Sequence, residues 1–600
     1  MSIERLRKAE QLYKKISMPL EQVVFPLILL LWPLIKVDQG IDVTDSTYSL
    51  SNYLFADRLD GVWLMSTYMS NLLGSLLVRL PYGNTLIGIN VYTGLILSAT
   101  ALICYYGLRK EFTAPVMFIG EFMAVSFCWI PTGILYNYLT YLLFNASAVI
   151  IYYAVKTRKS LLFYMAGLVL GLNSFVRIPN VAETGLIIVV WIGMVSTLKQ
   201  DGGHRWEKGN ELIGMTGACI VGYIIGMAIP VALIAALYGG GSLTKMMTGL
   251  EAMSQSNEEY TPVSMVLSIV RAYLRTFRWM AVIVAVIFAG TLMIAVLKRN
   301  PILKWLGRVI YIAVMVLMLR FFWGRGMYSF RFYEDYTSMY EWGMIVLILA
   351  WICAVSVFVR EGYNPLVKTM ASIALMMLII TPLGSNNYTM QNINNMFLVM
   401  PFVLYVTGGW MYRGTHRLRL ENVLYGCNFP WMSMVIVVLA FTFCQTFMFH
   451  KEFVFRDGMD GTPRDTTVST VYEADAVKGV YTGEYNARTL AELCRFMDED
   501  TTIEAVIYWG DCPGLAYILR KPMAIGTTWP NLASYTVEDF ETGLQDAAFV
   551  MDKGSNAVIK RKSYVAENES AVVKEDILNS YIDSNHMISV FENEEYIVYR

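Results

Sequence analysis

Long apolar runs separated by short polar turns fill the first three quarters of the chain, and the pattern breaks near residue 450. Crossing the hydrocarbon core of a bilayer takes about 20 mostly apolar residues in a helix. Such segments run over residues 20–36, 85–107, 113–131, 134–155, 160–176, 181–198 and 212–238, then over 279–297, 302–322, 340–359, 367–383, 394–411 and 430–449. The pattern predicts a polytopic α-helical membrane protein with about thirteen transmembrane helices. Two further stretches, Gly61 to Leu80 and Val263 to Leu274, are amphipathic instead of uniformly apolar. Both are expected to lie in the membrane interface.

After residue 450 the alternation becomes that of a soluble fold. "TTIEAVIYWG" reads as a strand, "DCPGLAYILR" as a turn and short helix, "DAAFVM" as a second strand and "MISVFENEEYIVYR" as a terminal hairpin. The expected division is a transmembrane domain over 1–450 and a small C-terminal α/β domain over 451–600.

Composition agrees with the bilayer as solvent: 56% of residues are hydrophobic, 16% are charged and the mean hydropathy is +0.46. The net charge of −1 hides a split, because residues 1–450 carry 33 Lys and Arg against 22 Asp and Glu, and residues 451–600 carry 14 against 26. Placing the basic connections in the cytoplasm gives one consistent orientation, from the N-terminal Arg5, Arg7 and Lys8 through Arg109 and Lys110, Lys156 and Arg158, Lys298 and Arg299, to Arg413 and Arg417. The N-terminus is then cytoplasmic, the first span acts as an uncleaved signal anchor, and the tail domain lies outside the plasma membrane. Cys104, Cys128, Cys219, Cys353, Cys427 and Cys444 fall in or beside apolar segments and read as small buried hydrophobes. Cys494 and Cys512 lie in the polar tail, where an oxidising exterior could pair them. No Gly-rich phosphate loop or solenoid repeat occurs, and neither nucleotide nor nucleic-acid binding has support.

The long first outer loop, 37–84, carries Asp38, Asp42, Asp45, Asp57 and Asp60 beside the membrane. A carboxylate held there could act as a general base. Asp45-Ser46-Thr47-Tyr48, after the first span and before an interfacial helix, resembles the acidic-x-x-Tyr element of GT-C membrane glycosyltransferases. "GLNSFVRIPN" at 171–180, "GSNNYTMQNINN" at 384–395 and "YWGDCPGLAYILRKPMAIGTTWPNLASY" at 508–535 are similar to segments of a bacterial GT-C-like group. The chain departs from better-known members in lacking a His-rich element after the interfacial helix and an Asp-Glu pair in the first loop.

The resemblance implies transfer of a hexose or pentose from a polyprenyl-phosphate donor to a cell-envelope glycan or lipid, on the outer face and with inversion. Asp45 would be the base, with Tyr48 beside it in the substrate site. Asp42 is the runner-up, and with Asp45 could hold a divalent cation, Mg²⁺ or Mn²⁺. A leaving lipid phosphate calls for a cation at headgroup depth. Arg177, Arg320, Arg325 and Arg331 are the candidates, with snorkelling to the interface as the alternative for Arg177 and an interfacial belt of the neighbouring Phe, Trp and Tyr residues as the alternative for the other three. Asn386 and Asn387, in a run of five asparagines that includes Asn392, Asn394 and Asn395, offer donors and acceptors for sugar hydroxyls. Glu121 stands out as a carboxylate within a span.

The alternative function is a transporter or flippase for a lipid-linked or envelope substrate, for which inverted repeats with broken helices would be expected. A membrane O-acyltransferase would need a membrane-side histidine, and only His450 is so placed. A polysaccharide polymerase would use a lipid-linked oligosaccharide and a large central outer loop.

Overall fold

The computed structural model describes residues 17–59, 61–129, 135–198, 205–244, 246–248, 262–297, 300–328, 336–360, 362–383, 387–417, 429–454, 469–470, 474–550, 556–566 and 568–600. Asp60, Arg331, Asn386 and Cys427 lie outside the described residues. Backbone polar groups in lipid must be paired within their own segment, which selects helices. Among the described residues, 9 helical segments are long and apolar enough to cross a membrane. Four shorter apolar helices of 10–17 residues accompany them. The chain is a multi-pass α-helical membrane protein with a small α/β tail.

The first segment, Ser17–Leu34, contains α1 (Phe25–Leu31), and a compact insert follows with α2 (Asp45–Leu54), α3 (Gly61–Ser66) and α4 (Tyr68–Leu77). The stretch 61–80, expected as one interfacial helix, is broken at Thr67, whose φ of −130° and ψ of 38° separate α3 from α4. On α4 the small and polar Ser70, Asn71 and Gly74 pack inward while Leu76 is 52% exposed. The apolar stripe is thereby left for lipid.

The bundle begins with α5 (Leu86–Phe112), α6 (Ala114–Phe127), α7 (Leu135–Thr157) and α8 (Ser160–Asn173). A 3₁₀ run, Ile178–Ile187, leads into α9 (Ile188–Leu198), and α10 (Arg205–Tyr238) follows. Thr85 caps α5 by accepting from the Gly88 N–H at 3.2 Å. At the far end of α5, Arg109 and Lys110 occupy the last turn, and Glu111 pairs with Lys156 of α7. Helices α8 and α10 touch backbone to backbone. A Cβ at Gly167 would sit 1.9 Å from the Cys219 carbonyl oxygen, and one at Gly222 would sit 2.0 Å from that of Tyr164. Small residues four apart on both helices allow that approach, which replaces the missing hydrophobic drive between helices in lipid.

Next come α11 (Pro262–Leu297), α12 (Pro301–Trp323), α13 (Thr337–Val359), α14 (Pro365–Ile380), α15 (Thr389–Asn394), α16 (Val399–Arg417) and α17 (Phe429–Glu452). Val263 to Leu274, expected as a separate interfacial helix, is instead the first part of α11, a single helix of 36 residues. No Gly or Pro separates the amphipathic part from the apolar part, so the helix runs on for about 54 Å.

The tail has β1 (Ser469–Thr470), β2 (Tyr481–Thr482), α18 (Glu484–Glu499), β3 (Ala505–Trp509), α19 (Leu515–Leu519), α20 (Val537–Val550), β4 (Asn556–Arg561), α21 (Glu569–Ser584), β5 (Ser589–Glu592) and β6 (Tyr596–Tyr599). Its main sheet has the order β3-β4-β6-β5, with β3 and β4 parallel and the other pairs antiparallel. Alternation along β3 feeds two cores. Val506 and Tyr508 face α18 and α19, while Ile507 and Trp509 face α20 and α21. "DAAFVM", expected as a strand, is helical through Val550 at the end of α20, with Met551 outside the described residues: Phe540, Leu544 and Ala547 recur at helical spacing and pack on the sheet.

Cys494 and Cys512 are buried thiols that are not bridged. Burial pushes the Cys512 thiol up to about 12. With a folded pKa above the unfolded value of roughly 8.5, its contribution to stability is complete below that pH and is lost as pH rises towards about 12. Thiol titration of the native protein at neutral pH is therefore expected to miss both residues, and titration in denaturant to find them. Rapid native labelling of Cys512 would contradict its burial.

Candidate active site under the tail domain

The tail is built onto the insert that follows the first membrane segment. Backbone hydrogen bonds join Gly40 N to Tyr481 O at 2.9 Å and Tyr481 N to Asp38 O at 2.8 Å, so residues 38–40 form an extra rung beside β2. Gly514 N donates to Val43 O at 2.8 Å. Ser51 Oγ donates to Pro513 O at 3.0 Å and accepts from Tyr517 N at 3.2 Å. Gly514 also lies hard against α2: a Cβ there would fall 1.6 Å from Thr47 Oγ1 and 2.9 Å from Val43 O. Ile41, Val43, Leu50 and Tyr53 of the insert share one apolar core with Leu490, Leu515 and Tyr517 of the tail.

This docking fixes the first turn of α2, where the acidic-x-x-Tyr element lies. Asp42 is 5% exposed, and both its oxygens are engaged. Oδ1 accepts from Thr44 N at 2.9 Å and from Thr44 Oγ1, and Oδ2 accepts from Ser46 N at 2.9 Å. Asp42 thus caps α2, supplying an acceptor to a donor that the helix start leaves unpaired. Asp45 is half-buried in the first turn, and Tyr48 stands one turn on along the same face. The Tyr48 hydroxyl meets the Asn52 side chain, and its ring meets Trp529 of the tail edge-on at 5.3 Å. Burial holds the Tyr48 and Tyr53 phenols above their ordinary value, so both remain protonated donors at neutral pH.

Tyr136, at the start of α7, is within electrostatic reach of Tyr48, Tyr53 and Tyr141. Tyr141 is in turn within reach of Arg177, and its hydroxyl donates to Gln391 of α15. Arg177, 8% exposed, donates from Nε to Asn180 Oδ1 at 2.7 Å. Asn180 Nδ2 donates to Thr140 Oγ1 at 2.9 Å and to Asn173 O at 3.0 Å, while Asn173 Nδ2 donates to the buried Glu183. A polar seam therefore runs from α2 through the start of α7 to Arg177.

The other sequence candidates fall elsewhere. Arg320 and Arg325 are exposed at the end of α12, over the rings of Trp323 at 5.4 Å and Phe321 at 5.3 Å. Asn387 is exposed, whereas Asn392, Asn394 and Asn395 are buried in and after α15, with Asn395 Oδ1 accepting from Asn145 at 2.7 Å. Glu121 is fully buried within α6, and neither of its oxygens has a hydrogen-bond partner among the described residues.

Sequence reasoning passed over Glu183, Tyr136, Tyr141, Gln391 and Trp529. Glu183 carried a usable signal, a carboxylate within an apolar span and six residues after Arg177. Tyr136 and Tyr141 carry no such signal, being aromatics in an apolar span.

Capping α2 engages both Asp42 oxygens, so a cation held between Asp42 and Asp45 would have to share them with the Thr44 and Ser46 N–H groups. Among the described residues, no group of three or more His, Cys, Asp and Glu is arranged to hold a metal ion.

No family model and no curated protein matches the chain. Among solved structures, the chain is similar to the Archaeoglobus fulgidus oligosaccharyltransferase complexed with Zn and sulfate, at 11% identity and a TM-score of 0.46, covering 90% of this chain and 68% of that one. It is also similar to the oligosaccharyltransferase AglB from the same organism, bound to an inhibitory peptide and a dolichol-phosphate, at 10% identity and a TM-score of 0.41, covering 92% and 70%. A third similar structure is apo ArnT from Cupriavidus metallidurans, at 12% identity and a TM-score of 0.40, covering 96% and 97%.

Proposed function

We propose that this protein is a GT-C-type membrane glycosyltransferase that moves a sugar from a polyprenyl-phosphate donor to a cell-envelope acceptor, with Asp45 as general base. What supports the reading is the seam from Tyr48 through Tyr136 and Tyr141 to Arg177, with Asp45 half-buried one turn before Tyr48 on α2. Inverting transfer needs a carboxylate to take the acceptor's proton and a positive group to meet the departing phosphate. Asp45 and Arg177 supply the two charges from opposite ends of the seam, and Tyr48 stands beside the carboxylate as a donor to substrate oxygens. Asn387 remains a substrate-contact candidate, exposed before α15. Arg320 and Arg325, exposed over aromatic rings at the end of α12, are assigned no role in this reading.

The site lies on the extracytoplasmic face in this reading. Support comes from the basic residues Arg109, Lys110 and Lys156, which gather at the end of the bundle opposite the insert. A lipid-linked donor suits that face, since nucleotide sugars are cytosolic. Two measurements test the reading. Purified protein is expected to transfer sugar from at least one of a panel of polyprenyl-phosphate sugars into membrane extracts, and a cysteine placed at Ser469 is expected to react with an impermeant maleimide on intact cells. Protection of that cysteine would reverse the orientation. Absence of transfer from every donor, with extracts that serve a known enzyme, would turn attention to transport.

A further inference from the structure

Lys574 of α21 has no exposed surface, and its ammonium donates to three main-chain carbonyls: Pro530 O at 2.8 Å, Leu532 O at 2.7 Å and Tyr535 O at 2.9 Å. Those bonds use all three N–H donors of the group. All three acceptors lie in one stretch, 530–535, that is neither helix nor strand. An ammonium is costly to bury, and an apolar side chain of equal size would fill the same space at less cost. What the lysine adds is a fixed shape for a loop with no ladder of its own.

The loop matters because of the side chains it presents. Asp511 Oδ1 accepts from Trp529 Nε1 at 2.8 Å and from Asn531 Nδ2 at 2.7 Å. Asp511 itself is held at φ 55° after Gly510 at φ 95°, a left-handed turn that only a tight local structure maintains. Trp529 then meets Tyr48 of α2. The connection runs without a break from Lys574 through 530–535 to Trp529 and on to the face that carries Asp45.

We infer that Lys574 is a positioning residue for the candidate site: by pinning the 530–535 loop it holds Trp529, anchored on Asp511, against Tyr48 on the Asp45–Tyr48 face of α2. The mechanical part stands on the geometry alone, and its consequence for acceptor binding rests on the glycosyltransferase reading.

Lys574→Met keeps the stem and removes the three donors. Hydrogen exchange of the intact protein in nanodiscs is expected to quicken on the order of tenfold in peptides over 526–535 and, more weakly, over 45–52. Acceleration confined to 526–535, or absent from both, overturns the proposal. In transfer assays the variant is expected to raise the acceptor KM severalfold with kcat nearly kept, and to add nothing in a Trp529→Ala background, since both changes act through one contact. An equal effect in both backgrounds also overturns it. If the native protein transfers no sugar at all, the glycosyltransferase reading fails while the exchange data still decide the coupling. Should Lys574→Met not fold, Asn531→Ala cuts the same connection from the other side and is expected to quicken exchange over the same two stretches.

Discussion

Replacing Asp45 with asparagine is expected to lower sugar transfer by about a hundredfold or more while leaving binding of the lipid-linked donor unchanged. The size follows from the ordinary contribution of a positioned general base, roughly 10²–10⁴ in rate. The separation from donor binding follows from place, since Asp45 lies on α2 and the cation proposed for the phosphate lies across the seam on the turn after α8. Asp42 provides the internal control. Asp42→Ala removes the acceptor for Thr44 and Ser46, so it should cost about 1 kcal/mol of stability. It should also slow transfer to the extent that the first turn of α2 frays, and Asp42→Ser, a shorter cap, should restore part of both. Loss of transfer in Asp42→Asn with Asp45→Asn unaffected would move the base to Asp42 and refute the assignment.

Gly514→Leu should be the most disruptive single change at the junction. Its new side chain would have to occupy the position of Thr47 Oγ1 and crowd the Val43 carbonyl, which is backbone and cannot swing away. Overpacking of a tight contact costs roughly 1–3 kcal/mol even when neighbours can adjust. Here the hydrogen bonds from Gly514 to Val43 and between Ser51 and residues 513–517 are also at stake. The expected outcome is a tail that keeps its main sheet and the core against α20 and α21 but separates from α2, seen as protease cleavage between the bundle and the tail and as lost transfer. Gly214→Leu, on a helix position with nothing within 4 Å, should change neither. A Gly514→Leu protein that resists protease and transfers normally would show that the docking is dispensable.

Much of the bundle was legible because span length and apolar content obey one strong constraint, the cost of unpaired backbone in lipid. Residues 302–322 and 340–359 correspond closely to α12 and α13. Errors arose where local pattern is overruled by what packs on it. "DAAFVM" has strand-like composition, but Ala547 continues the helical spacing of Phe540 and Leu544, which pack on the sheet as one face of α20. Val263 to Leu274 is amphipathic by itself and became part of a longer helix because nothing in the sequence stops it. At the site, Asp45 and Tyr48 could be picked out by spacing, and Arg177 by its place at a span end. Separating Asp42 from Asp45 needed coordinates, since capping and catalysis use the same residue type at nearly the same position. The rung between residues 38–40 and β2 could not be read at all, because its partners lie more than 400 residues apart and neither is a recognisable strand.

The same rung bears on how such a protein could be re-engineered or could have diverged. Composition invites a cut near residue 450, as though the tail were a cassette to be exchanged for one of different acceptor preference. The tail's second strand and one of its cores are completed by residues 38–53 of the insert, so a graft at that boundary would carry an unfinished surface onto an unmatched helix. A workable chimera would need three crossovers, one on each side of the insert and one before the tail, moving both pieces as a single heritable unit.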